Sequence, residues 1–274
     1  MELGIAVRSM GPQSAPDTLL ACALAAEDAG FADVWVQDHV AIPPDDAEGS
    51  GGRYLDPLTA LAWLAAATRR IGLGTGVLVL PYRPPLPTAK AIATVQELSG
   101  GRLRLGVGAG WMAPEFRALG VPREERGRRT DETLAFLRAC FAADRVEAHG
   151  QEFLFLPRPA APPIYVGGAG EHALRRAVAY GDGWMPMTGD PGKLAPALAR
   201  LQELAGEAGR RTPELIAFVG LDPARPESLE ERLGALAELG AARAVVGTRY
   251  ADAGEFSRCA DRIAARVLPA LARR

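Results

Sequence analysis

Neither sign of charge is in excess. With 31 Lys+Arg against 33 Asp+Glu, the 274-residue chain has a formal net charge of −2, which gives neither nucleic acid nor an anionic membrane a reason to bind. Long apolar runs are missing too, because Gly, Pro or Arg breaks each candidate before it reaches bilayer-spanning length. The opening residues, MELGIAVRSMG, lack a basic start followed by an apolar stretch and do not read as a secretory signal. Cysteine is confined to Cys22, Cys140 and Cys259, each in an Ala-rich helical pattern. An odd count without CxxC spacing argues against a disulfide framework or structural zinc, and makes the cytoplasm the expected compartment. With no HExxH, no cysteine cluster and no carboxylate pair at a compelling spacing, no metal is expected. A GxSxG elbow and a Walker-type P-loop are also absent, so a cofactor-free hydrolase has no motif behind it.

What remains is an ordinary globular chain, 48% hydrophobic and 23% charged. Its length suits one α/β barrel, a fold of about 250 residues, and no repeat or second domain interrupts residues 1–274. Short Val-, Ile- and Leu-rich runs alternate with longer segments of helical period. Strands are expected over residues 3–7, 33–37, 71–79, 103–108, 164–167, 183–185, 215–219 and 243–246. Helices are expected over 17–29, 57–67, 87–98, 129–141, 171–180, 191–208, 227–239 and 254–271. Asp17 and Asp56 precede apolar-periodic runs, and Gly30 and Gly240 follow them, as start and stop signals should. Strand–helix units repeated in this way favour a closed parallel barrel, with an open doubly wound sheet as the alternative. Residues 42–53 (IPPDDAEGSGGR) read as a loop, and residues 145–163, with RVEAH and EFLFL around Gly150, as a β-hairpin excursion before strand five.

A barrel of this kind places its chemistry at the C-terminal ends of its strands. There the chain offers Asp38 and His39 after strand two, and Gly76 and Val77 within strand three. Strand four ends in Gly108, Ala109, Gly110 and Trp111, and strand five in Gly167, Gly168, Ala169 and Gly170. A lone loop histidine is commonly a surface residue, but His39 directly follows a buried strand beside a carboxylate. His149 reads as a surface turn, and His172 as a helix cap or a neighbour of a phosphate. The GGAG turn is either a tight βα connection or an anion site built from backbone N–H groups and the helix dipole. It is not a GxGxxG fingerprint, and no acidic ribose partner follows it. Trp111 and Trp184 lie at strand ends where a cleft would be, whereas Trp35 and Trp63 read as packing residues. The REERGRR run over residues 123–129 reads as a solvated helix start, with anion binding as the alternative.

Four stretches together carry a resemblance: WVQDH; IGLGTGVLVLPYRPPLPTAKAIATVQELSGGRLRLGVGAGW; EFRALGVPREERGRRTDETL; and PPIYVGGAGEHALRRAVAYGDGW. The chain resembles the luciferase-like monooxygenase superfamily, and within it the oxidoreductases that use the deazaflavin coenzyme F420. The resemblance implies a TIM-like barrel, a non-proline cis peptide at Gly76–Val77 backing an isoalloxazine-type ring, and a cofactor-facing pair, Asp38 and His39. It implies that His39 is catalytic near the reactive edge of the ring, and that Gly108, Ala109 and Gly110 form a backbone cradle. Gly167, Gly168, Ala169 and Gly170 match the phosphate-binding turn. Trp111, Trp184 and Met187 are the expected substrate-pocket residues. Trp111 stands where sugar-phosphate dehydrogenases of the superfamily have an acidic residue, and Asp190 where they have a phosphate-holding lysine. Such a carboxylate repels phosphate, so a small, non-phosphorylated organic substrate is expected. FMN is the alternative cofactor, with a partner reductase supplying reduced flavin for an oxygen-using reaction, and a non-catalytic flavin-binding barrel is a third reading. The resemblance also implies a homodimer, for which the helices over 57–67 and 87–98 are apolar enough.

Overall fold

The computed structural model describes residues 1–221 and 228–272. Its strands are β1 (Glu2–Ala6), β2 (Asp33–Val36), β3 (Gly72–Thr75), β4 (Leu78–Val79), β5 (Leu103–Gly108), β6 (Arg145–Ala148), β7 (Gln151–Leu154), β8 (Ile164–Gly167), β9 (Gly183–Met185), β10 (Glu214–Gly220) and β11 (Arg243–Gly247). The helices are α1 (Pro16–Asp28), α2 (Pro57–Ala67), α3 (Pro85–Leu98), α4 (Ala113–Ala118), α5 (Arg126–Ala142), α6 (Glu171–Tyr180), α7 (Pro191–Glu207), α8 (Ser228–Glu238) and α9 (Ala253–Ala272). Eight parallel strands close into a ring in the order β1, β2, β3, β5, β8, β9, β10, β11, and β11 returns to β1 through Ile5↔Val246. The α/β barrel is thus closed, and the antiparallel hairpin β6–β7 stands outside it before β8, as expected. No helix among the described residues is long and apolar enough to cross a membrane.

Period-2 alternation sorts the side chains of each strand. Leu3, Ile5, Leu73, Leu105, Ala217 and Val246 point outward and join the core packed between strands and helices. Ala6, Trp35, Tyr165, Met185, Ile216 and Val245 point inward and fill the barrel. Trp35 occupies so much of the interior that its neighbours must be glycine. A Cβ on Gly4 would lie 2.7 Å from Trp35 Nε1, and one on Gly74 2.7 Å from Trp35 Cε2. The Trp35 indole N–H donates to the Asp33 carboxylate, which also pairs with Arg243, itself bound to Glu2. This charge cluster, with Asp33 and Arg243 buried and Glu2 exposed, sits at the N-terminal end of the barrel and leaves the other end for a site.

Local signals account for most element ends. Asp56 caps α2, its carboxylate accepting from Thr59 N at 2.9 Å. Gly30 takes φ +87° after α1 while Phe31 N–H donates back to Ala26 O at 3.1 Å, a stop that L-residues fit poorly. Three expectations change. The strand read over 71–79 is broken into β3 and β4 at residues 76 and 77, and β4 pairs with the end of β5 through Leu78↔Val107. An additional short helix, α4, follows Trp111. The helix read from 129 begins at Arg126, so the basic run is divided between a 3-10 turn over Arg123–Glu125 and the first turn of α5. The expected start of the eighth helix at Glu227 lies outside the described residues, and α8 is described from Ser228.

Candidate active site

A cleft of about 1090 Å³ opens at the C-terminal end of the barrel. It gathers Asp38, His39, Gly76, Val77, Gly108, Ala109, Gly110, Trp111, Gly167, Gly168, Ala169, Gly170 and Met187, which the sequence scatters over 150 residues of chain. Trp111 and Met187 stand at the mouth, 67% and 55% exposed. Trp184 is the exception. Gly183 and Met185 face the interior, so alternation turns Trp184 outward, where it is 1% exposed among strand–helix packing residues. Its indole N–H donates to Gly168 O at 2.6 Å, so it braces the glycine turn from behind instead of lining the pocket. Trp63, read as a packing residue, is 42% exposed on the outer side of α2.

The break between β3 and β4 shapes the back wall. The Gly76–Val77 peptide is cis, as the resemblance implies. Val77 reaches across the neighbouring strands: a Cβ on Gly108 would lie 2.7 Å from Val77 Cγ2, and one on Gly167 3.1 Å from Val77 Cγ1. These glycines make room for the valine, and together they form a wall of low relief against which a flat ring can lie. Asp38, 5% exposed, secures the wall from outside. Its carboxylate accepts from Val79 N at 2.8 Å and from both Arg83 Nη atoms at 2.6 and 2.8 Å, while Arg83 also reaches Asp56 at 3.0 Å. Both Asp38 oxygens are therefore engaged within the protein.

His39 is held by a residue that pattern reading missed. The Glu115 side chain in α4 is fully buried. Its Oε1 accepts from Val40 N at 2.6 Å and Ala41 N at 3.0 Å, and its Oε2 from Tyr82 OH at 2.8 Å. His39 Nδ1 lies 2.8 Å from the same Oε2. Burial works against the charge on Glu115, but hydrogen bonds from Ala41 N, Val40 N, His39 and Tyr82 outweigh it and hold the carboxyl below its ordinary value of 4.5. Burial and the adjacent Glu115 carboxylate push the Tyr82 hydroxyl well above its ordinary value, so it stays a donor. An ionised carboxylate only accepts, so the imidazole places a proton on Nδ1 and leaves Nε2 as the ring nitrogen not engaged by Glu115. Tyr54 and Trp111 meet the ring edge-on at 4.9 and 6.1 Å between centroids and fix its plane.

This geometry sets a pH dependence. Because the folded pKa of Glu115 lies below the unfolded one, its contribution is complete above the ordinary carboxylate pKa and is lost as pH falls through the depressed value. Thermal melts are expected to be flat with respect to this group above about pH 5 and to fall on further acidification, with a shallower fall in Glu115→Gln.

The outer half of the cleft was only glimpsed in the sequence. Arg126, Gly127 and Arg128 line it from the first turn of α5, opposite the α6 N-terminus. Gly170 caps α6 without a side-chain bond, and Gly168 sits at φ +118° with Ala173 Cβ 3.0 Å from where its own Cβ would be. His172 is exposed beside this turn and also lines the cleft, whereas His149 is an exposed turn residue far from it in the hairpin. Asp190, the position matched to a phosphate-holding lysine, caps α7 by accepting from Gly192 N at 3.0 Å. Among the described residues, no group of three or more His, Cys, Asp or Glu is placed to hold a metal.

Fold and site define a class: a parallel barrel whose open end carries a glycine-walled cleft for a flat ring, an anion-ready helix start and one oriented histidine. The chain belongs to the family described as Luciferase-like monooxygenase, whose sequence profile matches residues 1–266. Among its relatives are enzymes described as F420-dependent. The F420-dependent glucose-6-phosphate dehydrogenase of Beutenbergia cavernae is 34% identical over 284 residues, covering 95% of this chain and 83% of that one. Two solved structures share the fold. An F420-dependent secondary alcohol dehydrogenase, in complex with an F420-acetone adduct, superposes with TM-score 0.78 at 20% identity, covering 97% of this chain and 98% of the other. The EDTA monooxygenase of Chelativorans sp. BNC1 gives 0.80 at 15% identity, covering 98% and 94%. The protein is an oxidoreductase of the luciferase-like family.

Proposed function

We propose that the protein binds coenzyme F420 in this cleft and moves a hydride between it and a small, non-phosphorylated organic substrate. The carrying observation is the pairing of a glycine-walled flat site with His39, which lines the same cleft while its Nδ1 is held by the buried Glu115. The residues fit the cofactor. Gly76, Val77 and Gly108 would back the ring, Ala109 and Gly110 would flank its side chain, and residues 167–170 with the first turn of α6 would take the phosphate. When bound, the deazaflavin supplies the hydride donor or acceptor. His39 takes or returns the substrate's proton at Nε2 while Glu115 stabilises the positive charge that forms on the imidazole. Trp111, Met187 and Val40, all exposed at the mouth or beside it, favour a substrate of low polarity. Asp190 is committed to a helix cap, and Lys193 beside it, 3.9 Å from its carboxylate, is the nearby cation. A homodimer through α2 and α3 belongs to the same proposal, supported by the exposed Trp63 and Leu98 on those helices.

The test is an anaerobic assay of the purified protein with F420 and a panel of alcohols, ketones and enones, read by the deazaflavin absorbance. Turnover without oxygen supports the reading. Turnover only with FMN, a reductase and oxygen would move the protein to the monooxygenase reading that fits the same barrel.

A further inference from the structure

The helices that surround the barrel do not close evenly. α1 packs closely on α9 and α2 on α3, whereas the seam between α8 and α9 is the loosest of the shell among the described residues. A cavity of about 250 Å³ lies along that seam. Leu221 and Arg249, which follow β10 and β11, border it, and it shares no lining residue with the cleft. Its floor is apolar: Leu229 from α8 and Cys259, Ile263 and Val267 from α9, all buried. Spacings of four and eight residues put the three α9 side chains on one helix face. Burial raises the Cys259 thiol above its ordinary value, with the Arg262 guanidinium beside it working the other way. Apolar cavities of about 150 Å³ already accept a benzene-sized molecule, so this one has room for a short hydrocarbon chain.

The rim of this cavity carries charge, most of it positive. Arg266 pairs with Glu230 at 2.5 Å, and the Glu255 carboxylate accepts from Ala251 N at 2.8 Å. Arg262 donates to Arg258 O at 3.2 Å and joins no ion pair among the described residues. Arg249 makes neither a hydrogen bond nor an ion pair among them. Three guanidiniums against two carboxylates leave the rim with one positive charge in excess. An inorganic anion leaves the apolar floor uncovered, and a neutral hydrocarbon leaves the arginines unused. One carboxylate on a short aliphatic chain engages both, and a guanidinium fork matches a carboxylate in shape.

We propose that the α8–α9 seam is a binding site for an aliphatic monocarboxylate, its carboxylate held by Arg249 and Arg262 and its chain laid on Leu229, Ile263 and Val267. The site is separate from the redox cleft and stands whether or not the cleft takes F420. A bound chain covers the apolar floor that the two helices leave open, and so joins α8 to α9 where the shell is loosest.

The experiment is isothermal titration calorimetry of the full chain with butanoate, hexanoate, octanoate and octan-1-ol. It is repeated on Arg249→Ala, Arg262→Ala and Cys259→Leu, the last of which takes up cavity volume without touching a charge. Affinity is expected to rise about three- to fourfold for each methylene added. Octanoate is expected to bind about tenfold tighter than the alcohol of the same length, the size of one charge-assisted hydrogen bond. Arg249→Ala and Arg262→Ala are each expected to lose most of that tenfold gain, and because both side chains are exposed, neither change reaches the core. Cys259→Leu is expected to weaken octanoate more than butanoate. Absence of octanoate binding at millimolar concentration, equal affinity for octan-1-ol, or octanoate binding that survives both arginine substitutions overturns the site.

Discussion

Replacing Glu115 by glutamine is expected to leave the barrel folded and to lower kcat by about 10²–10⁴-fold, the range expected when a general base is lost or held in the wrong tautomer. An amide can still accept from Val40 N and Ala41 N through its oxygen, the two bonds that anchor the chain beyond His39. Its NH₂ then faces His39 Nδ1, where the carboxylate accepted a proton. The imidazole must move its proton to Nε2, and the cleft meets a donor where the wild type presents an acceptor. KM should change much less than kcat, because Glu115 is not among the residues that line the cleft. Glu115→Ala is expected to behave differently. It strands two backbone donors, the Tyr82 hydroxyl and His39 in a buried space, at a cost of about 3–5 kcal/mol in stability. Chemical denaturation separates the two variants, and steady-state kinetics of Glu115→Gln carries the positioning role. If Glu115→Gln keeps wild-type kcat, Glu115 serves structure alone.

The second large effect is expected at the wall. In Gly108→Val, the Cβ lies 2.7 Å from Val77 Cγ2, and two further methyls crowd the same space. Val77 is fixed on one side by the barrel and can yield only into the cleft, where the ring is to lie. Overpacking of this kind costs about 1–3 kcal/mol. Because the displaced group enters the binding space, most of the cost should appear as about 10–100-fold weaker cofactor binding. Titration of the variant checks this, and Gly108→Val paired with Val77→Ala should recover much of the loss. Unchanged affinity in the single variant would show that the ring lies elsewhere.

Much of this architecture was legible in the chain. Strand positions followed from short β-branched runs, and helix ends from Asp56 and Gly30, because those signals act within a few residues. The cleft residues were legible because a barrel collects its strand ends. Three features were not. Trp184 sits one residue from Met185, and only the register of β9 decides which of the two faces inward. Glu115 lies in a six-residue helix after a glycine-rich strand end. Its partner His39 is 76 residues away, so nothing local marks the pair. The resemblance gives Asp38 as cofactor-facing and it does line the cleft, but its bonds to Arg83 and Val79 N were not legible, because they exist only once β2 and the β3–β4 connection are side by side. The basic run at the start of α5 was visible as charge, but the reach of Arg176 from α6 to Asp131 beside it was not.

Parallel titration of the purified protein with coenzyme F420 and with FMN, followed by fluorescence, decides whether the cleft is a deazaflavin site. Micromolar or tighter binding of F420, with much weaker binding of FMN, is expected. A preference for FMN, or binding of neither, would contradict it.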